Sequence, residues 1–208
     1  MHIQPLTKGE QTRHRILDLA EKAILQKGFA STSIEELIAA AGITKSGFFY
    51  HFRDKNDLAR ALLARYLERD EVIFNDLFAR ADALHEDPLH GFLVFLKLLA
   101  DLMSDLPNGH PGCVVASYCY QDQLFSRDVR EMTAEGVRIW RARFRQRLDR
   151  IVEKYPPKLD VDLDTVAHMV AVVIDGGIIL SKNLSEPRYL PQQVLMFRNF
   201  IRLLFLGP

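Results

Sequence analysis

The sequence lacks the features that mark a chain for export, for a membrane or for a disulfide scaffold. It holds only two cysteines, Cys113 and Cys119, which excludes a disulfide-dense secreted fold and fits a reducing compartment. Residues 1–10 are polar and carry no apolar core, so we expect no signal peptide. The longest apolar stretch, residues 166–180, is interrupted by a histidine and an aspartate and is shorter than a bilayer span. These absences predict a soluble, cytoplasmic protein.

An excess of positive charge is also missing. The chain has 27 basic and 27 acidic residues and a formal net charge of +0, so any binding of nucleic acid must come from a local group of cations. Patterns typical of catalysis are missing as well, since we find no nucleophile–base pairing, metal-ligand spacing or phosphate-binding loop. The sequence therefore argues against an enzyme, and neither a cofactor nor a metal is expected.

Helical periodicity, in contrast, runs through the chain. Apolar residues recur at helical spacing and alternating strand patterns are scarce, which predicts an all-α fold of nine helices. The first helix is expected to begin near residue 12 and to end at Gly28, because glycine commonly follows a helix C-terminus. The first three helices are short and the later ones long, apart from a short sixth helix predicted over residues 113–124.

The most informative segment is residues 33–52, which predicts two short helices joined by a tight turn. Two capping pairs would serve to open the first of them: Ser33 with Glu36, or Thr32 with Glu35. That helix ends at Gly42, where the chain must reverse with a positive φ, and Thr44 caps the second helix. Two helices joined in this way form a helix-turn-helix, whose second helix enters the major groove of duplex DNA.

The polar residues of this segment have the chemistry that DNA binding requires. Exposed N–H groups at a helix N-terminus, together with hydroxyl and cationic side chains, bind phosphate. Gly47 would let the backbone approach the base edges, and Lys55 would place a point charge near a further phosphate. A purely structural pair of helices does not require the aromatic cluster at residues 48–52. We predict DNA contacts from eight residues: Ser33, Thr44, Lys45, Ser46, Gly47, Tyr50, His51 and Lys55.

Residues 12–63 resemble the DNA-binding domain of the TetR family of transcriptional regulators. The resemblance is carried by Arg15-Ile16-Leu17, Gly28-Phe29, Thr32-Ser33-Ile34, Ala40-Ala41-Gly42-Ile43, Lys45-Ser46-Gly47, Tyr50-His51-Phe52 and Lys55. It implies nine helices, a homodimer joined by helices 8 and 9, and a ligand pocket among helices 4 to 8. Two positions depart from the family pattern: Ile38 stands where alanine is usual, and Phe49 stands where tyrosine is frequent.

The domain boundary is expected within helix 4, because the helices before it are short and most of those after it are long. We therefore predict a DNA-binding domain over residues 10–70 and a ligand-binding and dimerisation domain over residues 71–208. Helices 8 and 9 are apolar around their whole circumference, which predicts burial on every side. The pair Gly176-Gly177 would permit close helix packing, and a two-fold interface between copies would bury the remaining surface.

The ligand pocket is predicted from residues of helices 5 to 8: Phe95, Leu99, Met103, Cys113, Ser117, Tyr118, Gln121, Trp140, Phe144, His168, Val172 and Asp175. His168 and Asp175 are seven residues apart and so share a helix face. Two interpretations of this pair remain open. It would either bind a polar atom of a ligand or form a satisfied polar pair at the dimer interface.

Cys113 also has two interpretations. The pair Gly112-Cys113 resembles a TetR subgroup in which the thiol senses electrophiles or oxidants, and a helix N-terminus lowers a thiol pKa. The alternative is a small buried hydrophobic residue. A zinc site formed with His110 and Cys119 is disfavoured because the spacing fits no usual site.

The sequence as a whole predicts a DNA-binding transcriptional regulator. We expect a repressor that binds a palindromic operator as a homodimer and is released by a small-molecule effector of unknown identity. The partners are double-stranded DNA, a second copy of the chain and that effector, with no membrane. A regulator that activates transcription or needs no ligand is the alternative, and a helical enzyme is a remote one.

Overall fold

A computed structural model describes residues 6–208, which form nine α-helices and one 3-10 helix without any β-strand in that range. The helices are α1 (Lys8–Lys27), α2 (Ile34–Ala41), α3 (Lys45–His51), α4 (Lys55–Leu84), α5 (Pro88–Ser104), α6 (Val114–Cys119), α7 (Arg127–Val152), α8 (Leu163–Asn183) and α9 (Tyr189–Leu206), and the 3-10 helix is Asp122–Leu124. The predicted all-α fold of nine helices is confirmed. The expectation of no signal peptide rests partly on residues 1–5, which lie outside the described residues.

The ends of α1 show how local residues set helix bounds. Thr7 and Glu10 form a reciprocal capping box, so α1 begins at Lys8 rather than near residue 12. At the other end Gly28 has φ 85°, and its N–H donates to the carbonyl of Ile24 at 2.8 Å. The predicted stop at Gly28 is therefore confirmed.

The sixth helix is shorter than predicted. It ends at Cys119, and the 3-10 turn Asp122–Leu124 follows instead of a continuous helix to residue 124. Gln121 leaves helical geometry with φ −133° and ψ 27°. Its side-chain Oε1 accepts a hydrogen bond from the backbone N–H of Ala30 at 3.0 Å, and this long-range contact has no signature in the local sequence.

The chain divides into two compact units, and the division differs from the predicted domains. The first unit comprises the residues up to Glu68 together with Cys113–Ala134, and the second comprises Arg69–Gly112 and Glu135–Pro208. The first break falls between Glu68 and Arg69, and the predicted boundary was at residue 70. Residues 113–134, however, belong with the helix-turn-helix unit and not with the C-terminal domain.

An aromatic cluster holds residues 113–134 in the first unit. The Tyr118 ring stacks on Phe125 at 4.2 Å between centroids, and Phe125 lies 4.4 Å from Phe29. The Tyr118 hydroxyl donates to the carbonyl of Ala59 at 3.1 Å, which satisfies it in the core. Tyr118 is thus a structural residue of this unit, and its prediction as a pocket residue is wrong for this structure.

The second unit has an aromatic core between α4, α5 and α7. Phe78 stacks on Phe95 with 3.8 Å between ring centroids, and Phe144 lies 6.0 Å from Phe95. Phe95, Leu99 and Phe144 are all buried. Three of the predicted pocket residues are therefore packed core side chains.

Helices α8 and α9 pack closely within the second unit. A Cβ atom on Gly177 would lie 2.9 Å from the Cα of Leu190, so only glycine allows this approach, whereas a Cβ on Gly176 would meet nothing within 4 Å. The Ser181 hydroxyl accepts a hydrogen bond from the Leu190 N–H at 3.0 Å. The close packing predicted for the glycine pair is confirmed at Gly177 alone.

One face of each of these helices is not buried by the rest of the chain. On α8, Val172 is 67% exposed and Ile179 is also exposed; on α9, Met196 and Leu203 are exposed. The prediction that both helices are buried on every side is wrong for a single copy. His168 and Val172 lie on this open face, so neither is enclosed in a pocket of its own unit.

By length and composition, α8 is the one helix of the described range that reaches the threshold for a membrane span. The helix has 21 residues, more than the stretch 166–180 considered in the sequence, and its apolar window has a mean hydropathy of 1.8. The buried side of α8 packs against α9, and apolar core helices of globular units meet the same criterion.

Candidate nucleic-acid interface

The first helix of the predicted DNA-binding motif opens at Ser33. The Ser33 Oγ accepts a hydrogen bond from the Glu36 N–H at 3.1 Å, while the buried Thr32 hydroxyl donates to the carbonyl of Gly28 at 3.0 Å. Of the two capping pairs, Ser33 with Glu36 is therefore the one used. The box is incomplete, because the Glu36 carboxylate pairs with Lys27 at 2.5 Å.

The turn between α2 and α3 depends on Gly42. Its backbone is left-handed, with φ 61° and ψ 40°, and the predicted positive φ is confirmed. The Gly42 N–H donates to the carbonyl of Ala39, and the Ile43 N–H donates to the carbonyl of Ile38, both at 3.2 Å. These bonds satisfy α2 carbonyls that a helix end would otherwise leave without partners.

The N-terminus of α3 is built around Thr44. The Thr44 Oγ1 accepts a hydrogen bond from the Gly47 N–H at 3.1 Å and shares a hydroxyl–hydroxyl bond with Ser46 at 3.0 Å. A Cβ on Gly47 would lie 3.3 Å from that same Oγ1, so glycine fits the tight cap. Thr44, Lys45 and Ser46 are all exposed, which leaves a hydroxyl-rich, cationic helix terminus facing outward.

The two sides of α3 differ sharply in burial. Phe48 is fully buried, and Phe52, which follows the helix, is almost so. On the opposite side Tyr50 is 82% exposed and Phe49 is 42% exposed. The helix is thus anchored by its aromatic side, and its polar N-terminal turn and Tyr50 remain available to a partner.

His51 ends α3 and is only half-exposed. Its carbonyl accepts a hydrogen bond from Arg13 Nη1 at 2.6 Å. Burial, and secondarily the charge of Arg13, lower the pKa of His51 below its ordinary value, so the ring is neutral at pH 7. Sequence reasoning missed Arg13 because it lies 38 positions away on α1.

Lys55 does not face outward in this structure. Its Nζ donates to the carbonyl of Phe29 at 2.5 Å and approaches the carbonyl of Ala30 at 3.4 Å, and it lies 4.2 Å from the centre of the Phe29 ring. Burial lowers the pKa of its ammonium group. The side chain therefore joins α4 to the α1–α2 connection, which is a different role from the predicted phosphate contact.

Arg53, like Arg13, is a cation near α3 that was not among the predicted DNA-contact residues. It follows α3 directly, and its side chain is 82% exposed. Its guanidinium lies 3.6 Å from the carboxylate of Asp57, a long and solvated pair that leaves it able to reach outward.

Comparison with known proteins fits this geometry. The profile of the bacterial regulatory proteins of the tetR family matches residues 16–62, which include the whole helix-turn-helix. The helix-turn-helix segment of this chain is therefore similar to that of the TetR family. The HTH-type transcriptional regulator AcrR of Shigella flexneri is 43% identical over 51 residues, which make up 24% of this chain and 24% of that protein. The HTH-type transcriptional repressor BepR of Brucella suis biovar 1 is 35% identical over 86 residues, or 40% of each chain.

The TetR-family likeness extends to the fold of the whole chain. A TetR-family transcriptional regulator from Agrobacterium tumefaciens superposes with a TM-score of 0.77 over 95% of this chain and all of that one, at 18% identity. The curated relatives are described as transcriptional regulators or repressors, not as enzymes. The matched segment spans less than half the length of each of these two relatives.

The predicted ligand-pocket residues fall into different surroundings. Four lie in the first unit: Cys113, Ser117, Tyr118 and Gln121. Trp140 and Met103 are half-buried in the second unit. The open face of α8 carries His168 and Val172, with the half-buried Asp175 one turn beyond Val172. In neither unit do the predicted pocket residues that belong to it line one common site.

Cys113 caps α6 and is buried. Its Sγ accepts a hydrogen bond from the Ala116 N–H at 3.4 Å. Cys119 is exposed. Within the described range no three histidine, cysteine, aspartate or glutamate side chains are placed to hold a metal ion.

A groove of about 430 Å³ lies between α4 and α7 of the second unit. It is lined by Asn75, Phe78, Ala79, Asp82, Ile139, Arg143, Gln146 and Arg147. The Arg147 guanidinium bonds the Asp82 carboxylate at 2.7 Å and lies 4.2 Å from the Phe78 ring centre, so its charge is already neutralised. The groove therefore has no free cation at Arg147 with which to bind an anionic ligand.

Proposed function

We propose that this TetR-family protein is a homodimeric transcriptional repressor that binds a palindromic operator and is released by a small molecule. The observation that carries the proposal is the outward face of α3. It combines an exposed, hydroxyl-rich and cationic N-terminal turn with a buried aromatic anchor on the other side. A rigid helix presented in this way is suited to the major groove.

The DNA contacts are divided by chemistry. Lys45 and Ser46 would approach base edges or phosphates from the first turn of α3, and Tyr50 would donate to a phosphate oxygen. Ser33 and Thr44 are exposed caps whose hydroxyls have remaining hydrogen-bonding capacity. Gly47 and the neutral His51 complete the proposed surface, whereas Lys55 supports it from behind.

The open faces of α8 and α9 support dimerisation through these two helices. Both helices expose large apolar side chains, and Gly176 has open space where a partner helix would fit. Large exposed apolar patches mark protein interfaces, and two-fold symmetry is the commonest arrangement for identical chains. On this face His168 and Asp175 act as interface polar groups. A dimer would place two α3 helices about 34 Å apart, one turn of DNA.

Effector release requires that the small molecule bind one conformation of the dimer better than the other. The effector would bind in the second unit near Trp140, which is half-buried and packs edge-on against Phe74. A dimer working in this way on chromosomal DNA is a cytoplasmic protein. The dense packing of Phe78, Phe95 and Phe144 also favours a second candidate, a regulator that needs no ligand, and a transcription assay with and without added compounds separates the two.

Footprinting of the protein's own upstream region tests the proposal. We expect two protected half-sites related by a dyad, with centres about 34 Å apart. The Lys45→Ala variant should need a higher protein concentration for protection, whereas the control Lys22→Ala, which removes an exposed lysine of α1, should match wild type. An upstream region that stays unprotected at low salt, with wild-type protein in excess, would overturn the proposal.

A further inference from the structure

We propose that Arg13 of α1 is a positioning residue that fixes the orientation of the recognition helix α3. The inference rests on the proposed function, because it presumes that α3 reads DNA. It concerns a residue that bonds the backbone carbonyl of His51 and not the exposed N-terminal turn of α3. Arg13 acts on the opposite, C-terminal end of that helix.

The need for such a residue follows from the length of α3. It has seven residues, and within it only Phe48 is buried. A helix leaves its last four carbonyl groups without internal partners, so a two-turn helix is weakly held at its end. Phe48 and Phe52 anchor one side of the helix, so a contact at another point would restrict its rotation further.

Arg13 supplies the third point of attachment. Its Nη1 donates to the carbonyl oxygen of His51 at 2.6 Å, and its guanidinium carbon lies 4.4 Å above the ring centre of Phe52. The bond satisfies one of the free carbonyls, and a cation at a helix C-terminus is favourable. Contact with the ring adds a cation–π interaction.

Arg13 lies on a part of α1 that is packed into the core. Ile16 and Leu17, within the next turn of α1, are buried in the core of the first unit. The planar guanidinium is thus held between a fixed helix and the end of α3. A base contact tolerates only small errors in position, so this restraint affects sequence-specific binding more than phosphate binding.

A direct phosphate contact by the remaining N–H groups of Arg13 is the competing role, and salt dependence separates the two. The logarithm of the DNA-binding constant falls linearly with the logarithm of salt concentration, and each phosphate contact makes that slope steeper by about 0.9. Arg13→Met keeps the apolar stem but removes the donor and the charge. Arg15→Met is the matched control, since Arg15 is an exposed arginine two positions along the same helix.

We expect Arg13→Met to weaken operator binding roughly tenfold, the loss of about one charge-assisted hydrogen bond. The salt slope and the affinity for unrelated duplex DNA should remain as in wild type and in Arg15→Met. Arg13→Lys, which keeps a cation and a donor, should restore part of the affinity. A slope reduced by about one unit, with equal losses on all sequences, would overturn the positioning role.

A second measurement needs no DNA. Arg13 contributes to the lowered pKa of His51, so NMR titration of the His51 ring in the free dimer should give a higher pKa in Arg13→Met and an unchanged one in Arg15→Met. An unchanged His51 pKa in Arg13→Met would overturn this inference alone. Failure of the wild-type protein to bind any duplex would instead overturn the proposed function.

Discussion

The Nζ atom of Lys55 lies 2.5 Å from the carbonyl oxygen of Phe29 and 4.2 Å from the centre of the Phe29 ring. This contact ties the start of α4 to the connection between α1 and α2. Lys45, in contrast, is exposed at the first turn of α3. Two lysines ten positions apart therefore have opposite tasks, one structural and one at the proposed DNA surface.

Substituting the two lysines separates these tasks. Lys55→Met should lower the free energy of unfolding by about 1–3 kcal/mol, because two carbonyls lose a charged donor, and should leave the salt slope of DNA binding unchanged. Lys45→Met should do the reverse, leaving stability unchanged and reducing the slope by about 0.9. Urea unfolding and fluorescence anisotropy at several salt concentrations measure both quantities. A reduced salt slope in Lys55→Met would mean that Lys55 reaches a phosphate.

Gly28 and Gln121 are predicted to be energetically coupled. Gly28→Ala should destabilise by about 1–3 kcal/mol, because φ is 85° there and the new Cβ would lie 2.9 Å from Gln121 Nε2. Gln121→Ala should cost about 1 kcal/mol through loss of the bond to the Ala30 N–H. The double variant relieves the clash, so its loss should be smaller than the sum by about 0.5 kcal/mol or more. Strict additivity in urea unfolding would contradict the contact.

Asp87 is predicted to make stability depend on pH. Burial alone would raise the pKa of its carboxyl, but hydrogen bonds from Lys154, His90 and Tyr155 outweigh burial and hold that pKa well below the ordinary value. A carboxyl with a lowered folded-state pKa stabilises the fold above its unfolded pKa, about 4, and this contribution is lost as pH falls below that value.

Asp87→Asn keeps the cap geometry but removes the charge. It should destabilise by about 1–3 kcal/mol at pH 7, and the difference from wild type should shrink as pH falls from about 4 to 3. The neighbouring Glu86→Gln, which removes an exposed charge, is the control. Urea unfolding at pH 7, 5 and 3 provides the measurement. A difference between Asp87→Asn and wild type that is constant with pH would show that the charge contributes nothing.

The open faces of α8 and α9 give a prediction about assembly. Val172→Glu should convert the proposed dimer into a folded monomer, because Val172 is 67% exposed in one copy and a charge there is costly only when a partner covers it. Val72→Glu is the matched control, since Val72 is 63% exposed on α4. Light scattering coupled to size-exclusion chromatography decides the question. The dimer interface lies elsewhere if Val172→Glu remains dimeric or if both variants dissociate.

Local signals were sufficient for most of the secondary structure. Gly42 requires a left-handed backbone whatever surrounds it, and Ser33 can cap only the helix that follows it, so both were predictable from neighbouring residues. The helix-turn-helix was predictable from the family pattern, because that pattern is also made of residues close together in the sequence. The predicted helix ends were wrong where a tertiary contact competes with helix formation. At Gln121, for example, the side chain accepts a hydrogen bond from a backbone N–H 91 positions away.

The roles of individual charges and of open faces were less predictable. Nothing near Lys55 in the sequence indicates that its ammonium turns toward Phe29, and nothing near Arg13 indicates that it caps His51. The apolar composition of α8 does not reveal which of its sides the same chain covers. Val172 and the core residue Val170 are both valines, and only the packing of α9 distinguishes them.

The most direct test of the account is the DNA affinity of a Ser46→Glu variant, measured by anisotropy on the footprinted operator at low salt. An acidic residue in the first turn favours the α3 helix dipole, so the variant should be at least as stable as wild type. It should nevertheless lose operator binding, because its charge would face phosphates. The control Gln146→Glu, which makes the same charge change on the exposed surface of α7, should bind normally. A stable Ser46→Glu protein that binds the operator as tightly as wild type would contradict the claim that α3 meets DNA.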